Sequence, residues 1–383
     1  YPKNMANPLD ILIGSIKGAT GYGNPFGEPT LLFGNDSLGY KFSDGKRFET
    51  IKPIIYTSAV GSISGVAKDK IEGQEGMYIV RIGGATRRVG VGGGAASSID
   101  AGKNDTQLDF KSVQRGEPMI GRSAYNVIEH CVFMGDRNPI QSIHDQGAGG
   151  ASNVLTELIN PCGGIIDIQK IQIGDSSMSQ AEIWVAESQE LYGILIAKES
   201  IDIFKNICIK YNCPIEILGE TNNSQKIVVK DSRDSSVPVD LTLPEILGKL
   251  PQKTYTDETV NINFEKQIIP DLSILDHLMN VSIVPGVSFL NYMTDHFDGS
   301  VGGRVVQGPR AGVYQLPVCN YGILSDSFDS KTGVVSTFSR TNPIAMLIDE
   351  QATSRISIAN MILTLSFVEI TGGIEYIKGR LNV

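Results

Sequence analysis

Nowhere does the chain carry a run of about 20 apolar residues, so it offers no helix able to cross a bilayer. Basic residues are the minority: 33 Lys and Arg stand against 42 Asp and Glu, a net charge of −9. That balance argues against a general affinity for nucleic acid or for an anionic membrane. Histidine is scarce, with four in 383 residues. Neither H-E-x-x-H nor a C-x-x-C pair occurs, which argues against a zinc centre. The five cysteines, at positions 131, 162, 208, 213 and 319, are odd in number and scattered. They read as reduced thiols of a cytoplasmic protein, not as a disulfide framework. No Cys–His or Ser–His arrangement suggests nucleophilic catalysis. The start, Tyr1-Pro2-Lys3-Asn4, has neither an initiator Met nor a signal-peptide pattern.

Glycine, by contrast, is plentiful: 42 residues, clustered at 83–84, 90–94, 147–150 and 302–303. Such clusters bring backbone close to something or place it where other residues will not go. A chain of this length supports two or more domains. Residues 1 to about 75 mix short apolar runs with turns, with Gly18 to Gly27 read as loop and Lys52 to Gly61 as strand and turn. Residues 76 to 250 alternate strands with helices, which favours an α/β sheet with crossover connections. The strands are Met77–Ile82, Pro139–Ile143, Leu191–Ala197, Pro214–Leu218 and Lys226–Val229. The helices are Met119–Met134 and Glu199–Tyr211, the second with Ile203, Phe204, Ile207 and Cys208 inward. The polar stretch from Pro251 to about Asp271 is the best boundary. Residues 285 to 383 form a further segment, with a helix at Ala352–Leu365.

The most informative string is Ile143-His144-Asp145-Gln146-Gly147-Ala148-Gly149-Gly150. An apolar strand ends in an acid, then a glycine loop, then a helix whose Ala151, Val154, Leu155, Leu158 and Ile159 share one face. A helix start of this kind presents N–H groups to an anion. Asp145 at the strand tip is placed to hold Mg²⁺ beside that anion, although N-capping is the ordinary role of such an aspartate. His144 reads as a packed histidine, not a ligand. Glu187, Ser188 and Gln189 precede an apolar strand and would otherwise be strand-edge caps. Gln114 and Arg115 precede a helix and would otherwise be a solvated helix entrance; separately, Arg87-Arg88 is the one conspicuous basic pair beside a glycine loop. Gly90 to Ala95 also fits G-x-G-x-x-G/A. Gly102 and Asn104 interrupt any following helix, so a phosphate loop is preferred to a dinucleotide fold. The residues alone thus give an α/β protein for a phosphate-bearing ligand with Mg²⁺.

Taken together, these strings resemble the synthetase part of the phosphoribosylformylglycinamidine synthase family, in its large, eukaryotic-like form. The matching strings are Tyr22 to Pro29, Gly90 to Ser98, Leu108-Asp109-Phe110, Val113 to Pro118, His144 to Gly150, Glu182-Ile183-Trp184 and Glu187 to Glu190. Their order covers about residues 8 to 250, with a looser match over 285–383. The resemblance implies a mix of α+β and α/β domains in aminoimidazole ribonucleotide synthetase-like repeated halves, incomplete at both ends. Residues 1–75 would end the first α+β domain and 76–250 form the first α/β domain. Residues 251–284 would be linker, and 285–383 would begin the second α+β domain. The implied activity is an ATP-dependent C–N ligation, converting formylglycinamide ribonucleotide to its amidine in de novo purine biosynthesis. ATP and Mg²⁺ would be required, with ammonia from a glutaminase domain or subunit. Asp145 would bind Mg²⁺, and Gln114, Glu187, Ser188 and Gln189 the ribonucleotide.

The departures matter as much. The family's Ser-His-Asn-His-Pro string, its ATP loop and its glutaminase cysteine do not occur, so no synthase turnover is expected of this chain alone. The large form has carboxylates at a second, structural nucleotide site where Asn320 and Asn360 stand, and an asparagine where Thr364 stands. Neutral ligands hold Mg²⁺ less well, so that site is expected to be lost or altered. A non-catalytic relative, keeping the scaffold as a binding or interaction module, is the alternative.

Overall fold

The computed structural model describes residues 6–91 apart from positions 37, 50–53, 59, 62, 64, 66 and 67. It also describes 117–254 apart from 250, then 269–283 and 298–379, with positions 103, 256 and 294. The chain divides into two compact units, one of Lys3–Ser62 with Tyr255–Val383 and one of Ile63–Thr254.

The first unit opens on helix α1, Pro8–Phe26. This corrects the expectation of a loop at Gly18–Gly27. Asn7 caps the helix by accepting from the Leu9 N–H at 3.0 Å, and Pro8 supplies a preset first turn. Ser15, Ile16 and Thr20 are buried along one face, while Gly18 and Gly21 lie exposed. Burial of that face outweighs the roughly 1 kcal/mol that each solvent-facing glycine costs a helix. Strands β1 (Leu32–Asp36) and β4 (Ile54–Ser58) pair antiparallel, as do β2 (Gly39–Lys41) and β3 (Arg47–Glu49).

The second unit is built on seven strands. They are β5 (Tyr78–Gly83), β6 (Ile140–Asp145), β7 (Gly164–Asp167), β8 (Leu191–Ile196), β9 (Ile215–Thr221), β10 (Lys226–Lys230) and β11 (Val239–Thr242). Their order is β11-β10-β7-β9-β5-β8-β6. Only β7 and β10 run parallel, so the sheet is mixed, not wound by successive parallel crossovers. Side chains alternate between its faces, as strand geometry requires. Ile79, Leu195, Leu218 and Ile227 join Val154, Leu155 and Leu158 of α3 (Gly150–Leu158) and Ile183 and Trp184 of α4 (Gln180–Val185). Val80, Ile82, Ile194 and Ile196 point to the opposite face and cluster with Ala124 and Val127. There α2 (Pro118–Phe133) and α5 (Ile201–Lys210) pack. Each fully buried aliphatic here contributes about 1.5–3 kcal/mol relative to exposure. On α5 the inward residues are Ile201, Phe204, Ile207 and Cys208, while Ile203 turns out to solvent, 49% exposed. The short α6 (Leu243–Leu247) closes the unit on a Thr242–Glu245 capping box.

Back in the first unit come α7 (Ile274–Ser282), a sheet of β12 (Val305–Gln307), β13 (Tyr321–Ser325) and β14 (Gly333–Thr337), then α8 (Pro343–Met346) and α9 (Glu350–Leu365). Here Leu31 and Leu32 pack with Leu324, Val305 and Phe338.

Candidate functional site

Three loops meet at one edge of the seven-stranded sheet. One leaves β5 and covers residues 84–91, one leaves β6 at Asp145, and one, residues 186–190, enters β8. β5 and β6 flank β8 and run antiparallel to it, so their ends and its start share that edge. The loops are tied to one another by hydrogen bonds. The Gln146 N–H donates to the Leu191 carbonyl at 2.8 Å, and Gln146 Nε2 to the Ser188 carbonyl at 2.9 Å. The Gly149 N–H donates to Glu187 Oε1 at 3.0 Å. The Arg87 N–H donates to Ser188 Oγ at 3.0 Å, and the Glu187 N–H to the Val89 carbonyl at 3.0 Å. Contact is too close for side chains at several points. A Cβ on Gly150, where φ is +61°, would lie 2.3 Å from the Ala186 carbonyl oxygen, and one on Gly90 2.5 Å from Glu187 Cβ. The glycine clusters therefore serve backbone approach.

Asp145 closes β6, and its side chain is 81% exposed. His144 is held beside it, with Nε2 2.7 Å from Glu157 Oε2 and Nδ1 2.8 Å from the Asp145 carbonyl. Glu187 and Ser188 are buried, and Gln189 is half-buried beside them. Gln114 lies outside the described residues, as does most of the glycine run after Val91. Glu117, three residues after Gln114, is described. Its N–H donates to Glu190 Oε2 at 2.9 Å, and its Oε1 accepts from Arg87 Nε at 2.8 Å. Glu190 is buried with φ +57°, and burial raises its carboxyl above the ordinary range while the Glu117 N–H works the other way. Of the amides in the glycine loop, Gly149 N–H goes to Glu187 and Gly150 N–H to the Gly147 carbonyl.

Sequence reasoning missed Glu190, which it took only as part of a matching string, and Arg88. The Arg88 guanidinium donates to Glu182 Oε1 at 2.8 Å, to Asp175 Oδ2 at 2.9 Å and to Ser177 Oγ at 3.1 Å. The basic pair was visible, but its acidic partners are some 90 residues away and no local pattern joins them. Among the described residues no three His, Cys, Asp or Glu side chains group as a metal cage. Mg²⁺ does not need one. It binds through one or two carboxylates with substrate phosphate and water completing its shell, and the exposed Asp145 suits that mode.

A glycine-looped edge on a mixed sheet between helical layers is the architecture of aminoimidazole ribonucleotide synthetase-like proteins. Residues 74–232 match the family described as AIR synthase related protein, C-terminal domain, and 288–382 the FGAR-AT PurM_N-like domain. Over 97% of its length the chain is 37% identical to the probable phosphoribosylformylglycinamidine synthase, chloroplastic/mitochondrial, of Arabidopsis thaliana, and covers 27% of that protein. It is 36% identical to the human phosphoribosylformylglycinamidine synthase over 97% of its length, and covers 29% of it. Thermotoga maritima PurL complexed with FGAR shares the fold, at TM-score 0.64 and 20% identity, over 92% of this chain and 52% of that one. The same protein complexed with ADP gives TM-score 0.59 at 17% identity, over 93% and 51%. The chain is thus a homologue of the phosphoribosylformylglycinamidine synthases, spanning less than a third of the length of the curated relatives it matches.

Proposed function

We propose that this chain is a segment of an ATP-dependent amidotransferase that turns formylglycinamide ribonucleotide into formylglycinamidine ribonucleotide. The observation that carries the reading is the meeting of the 84–91, 145–150 and 186–190 loops at one sheet edge, locked by Gly149–Glu187 and Arg87–Ser188 hydrogen bonds. Such convergence holds the loop backbones close together, as a shared ligand would require. The relatives named for this synthase, and the PurL structure complexed with FGAR, support that ligand.

In this reading Gln114 and the Glu187-Ser188-Gln189 turn contact the ribonucleotide. Glu187 and Ser188 also hold the loops together. Asp145 would hold Mg²⁺, which offsets charge on the transferring phosphoryl group. ATP phosphorylates the formamide oxygen, and ammonia from a glutaminase partner then displaces phosphate and leaves the amidine. The cytoplasm is the proposed compartment, supported by five free thiols. The Arabidopsis relative is named chloroplastic/mitochondrial. No described helix is long and apolar enough to cross a membrane.

Calorimetric titration of formylglycinamide ribonucleotide with Mg²⁺ tests the reading. Asp145→Ala and Gln114→Ala are each expected to weaken binding about tenfold, the worth of one charge-assisted contact. A folded wild type that binds nothing, or variants that bind as wild type does, would overturn it in favour of a scaffold kept for interaction.

A further inference from the structure

At the centre of the seven-stranded sheet lies a charged side chain that the reaction does not use. Arg81, on β5, is fully buried, and its register partner on β9 is Glu216, also buried. Arg81 Nε donates to Glu216 Oε2 at 2.7 Å and one terminal nitrogen to Oε1 at 2.9 Å, a bidentate pair. The other terminal nitrogen donates to Thr86 Oγ1 at 2.9 Å. Glu216 Oε1 also accepts from the Gln172 N–H at 2.9 Å. Gln172 returns to the same threonine, since its carbonyl accepts from the Thr86 N–H at 2.8 Å, and the Gly174 N–H donates to the Thr86 carbonyl at 2.8 Å. The circuit closes on Thr86, fully buried itself.

A buried ion pair adds little stability over apolar residues of the same volume. What it adds is direction. The next residue, Arg87, gives its N–H to Ser188 Oγ, and the Val89 carbonyl takes the Glu187 N–H. We propose that the Arg81–Glu216 pair, acting through the Thr86 hydroxyl, is the positioning device that fixes the 86–89 strip and, through it, the Glu187–Ser188 turn. Arg81, Glu216 and Thr86 touch no substrate in this arrangement; they set the geometry of residues that do. The link to substrate rests on the function proposed above, whereas the loop geometry does not.

The test uses the whole chain with three variants: Thr86→Val, which keeps shape and removes the hydroxyl, Thr86→Ser, which restores it, and Ser188→Ala. Amide exchange is read at Arg87 and Glu187, with Leu195 and Ile217 as sheet controls, beside calorimetric binding of formylglycinamide ribonucleotide. Thr86→Val is expected to speed exchange at Arg87 and Glu187 about tenfold, leave the controls unchanged and weaken binding about tenfold. Thr86→Ser is expected to recover both. Unchanged exchange at Arg87 and Glu187 in Thr86→Val overturns the inference, as does loosening that reaches the controls equally and is not rescued by Ser. If the two amides loosen selectively while ligand binding is absent, or indifferent to Ser188→Ala, the substrate reading falls and the positioning role stands.

Discussion

Glu190 shows how much one residue at the sheet edge is asked to do. It sits in a left-handed conformation that costs a non-glycine residue about 1 kcal/mol or more, and it is buried. One carboxyl oxygen anchors the Glu117 N–H at the start of α2, and the other is buried with no partner among the described residues. Burial is the largest influence on its carboxyl and raises its pKa. The folded chain therefore keeps Glu190 protonated to a higher pH than the unfolded chain does. Its favourable contribution is complete below the ordinary carboxylate range and is lost as pH rises through the folded value. Glu190→Gln keeps an acceptor for Glu117 and cannot ionise. Its denaturation midpoint is expected to match wild type in acid and to exceed it at neutral pH. A difference that is the same at both pH values would show that ionisation of Glu190 is not what the fold resists.

Elements with strong periodicity were legible from sequence, and those ruled by distant partners were not. The helix after the glycine loop, α3, and the strands β8 and β10 follow directly from apolar spacing. Helix α1 did not, because Gly14, Gly18 and Gly21 lie on the solvent face and its burial depends on strands further along the chain. Ile203 was placed inward because the spacing fits two faces equally, and Phe204 and Ile207 took the buried one. The candidate site was legible as strings but not as a circuit. Arg81 and Glu216 stand 135 positions apart, and nothing local marks them as partners. At the second-half elements the chemistry itself carries a prediction. Asn320 lies before β13 and Asn360 on α9, and each carbonyl accepts from a threonine hydroxyl, Thr337 and Thr364, at 2.8 and 2.9 Å. Their side chains bring no negative charge to a cation. Crystals soaked with ADP and Mg²⁺ are expected to show no ordered metal at these positions. Ordered Mg²⁺ at Asn320 and Asn360 would refute the loss of that site.

For the whole molecule, the distribution of core decides which part stands alone. The two large apolar clusters are drawn entirely from residues 77–243, on opposite faces of one complete sheet. The other unit has a buried cluster of three leucines, Leu31, Leu32 and Leu324. It also leaves large apolar side chains in solvent, with Ile274 81%, Val313 92% and Phe367 78% exposed. A domain of the size of Ile63–Thr254 ordinarily buries enough surface to fold unaided. Expressed by itself, that span is therefore expected to unfold in one cooperative transition, and the remaining segments not to. Thiols report the core directly. Burial pushes Cys131 up to about 12 and Cys213 up to about 11, and it raises Cys208 as well. Because the thiolate is the reacting species, these three should stay silent to a disulfide reagent until the span unfolds. Their reaction rate should then follow global opening as denaturant is added. Prompt reaction of all three in native buffer would mean that the sheet does not close over its helices without the rest of the chain.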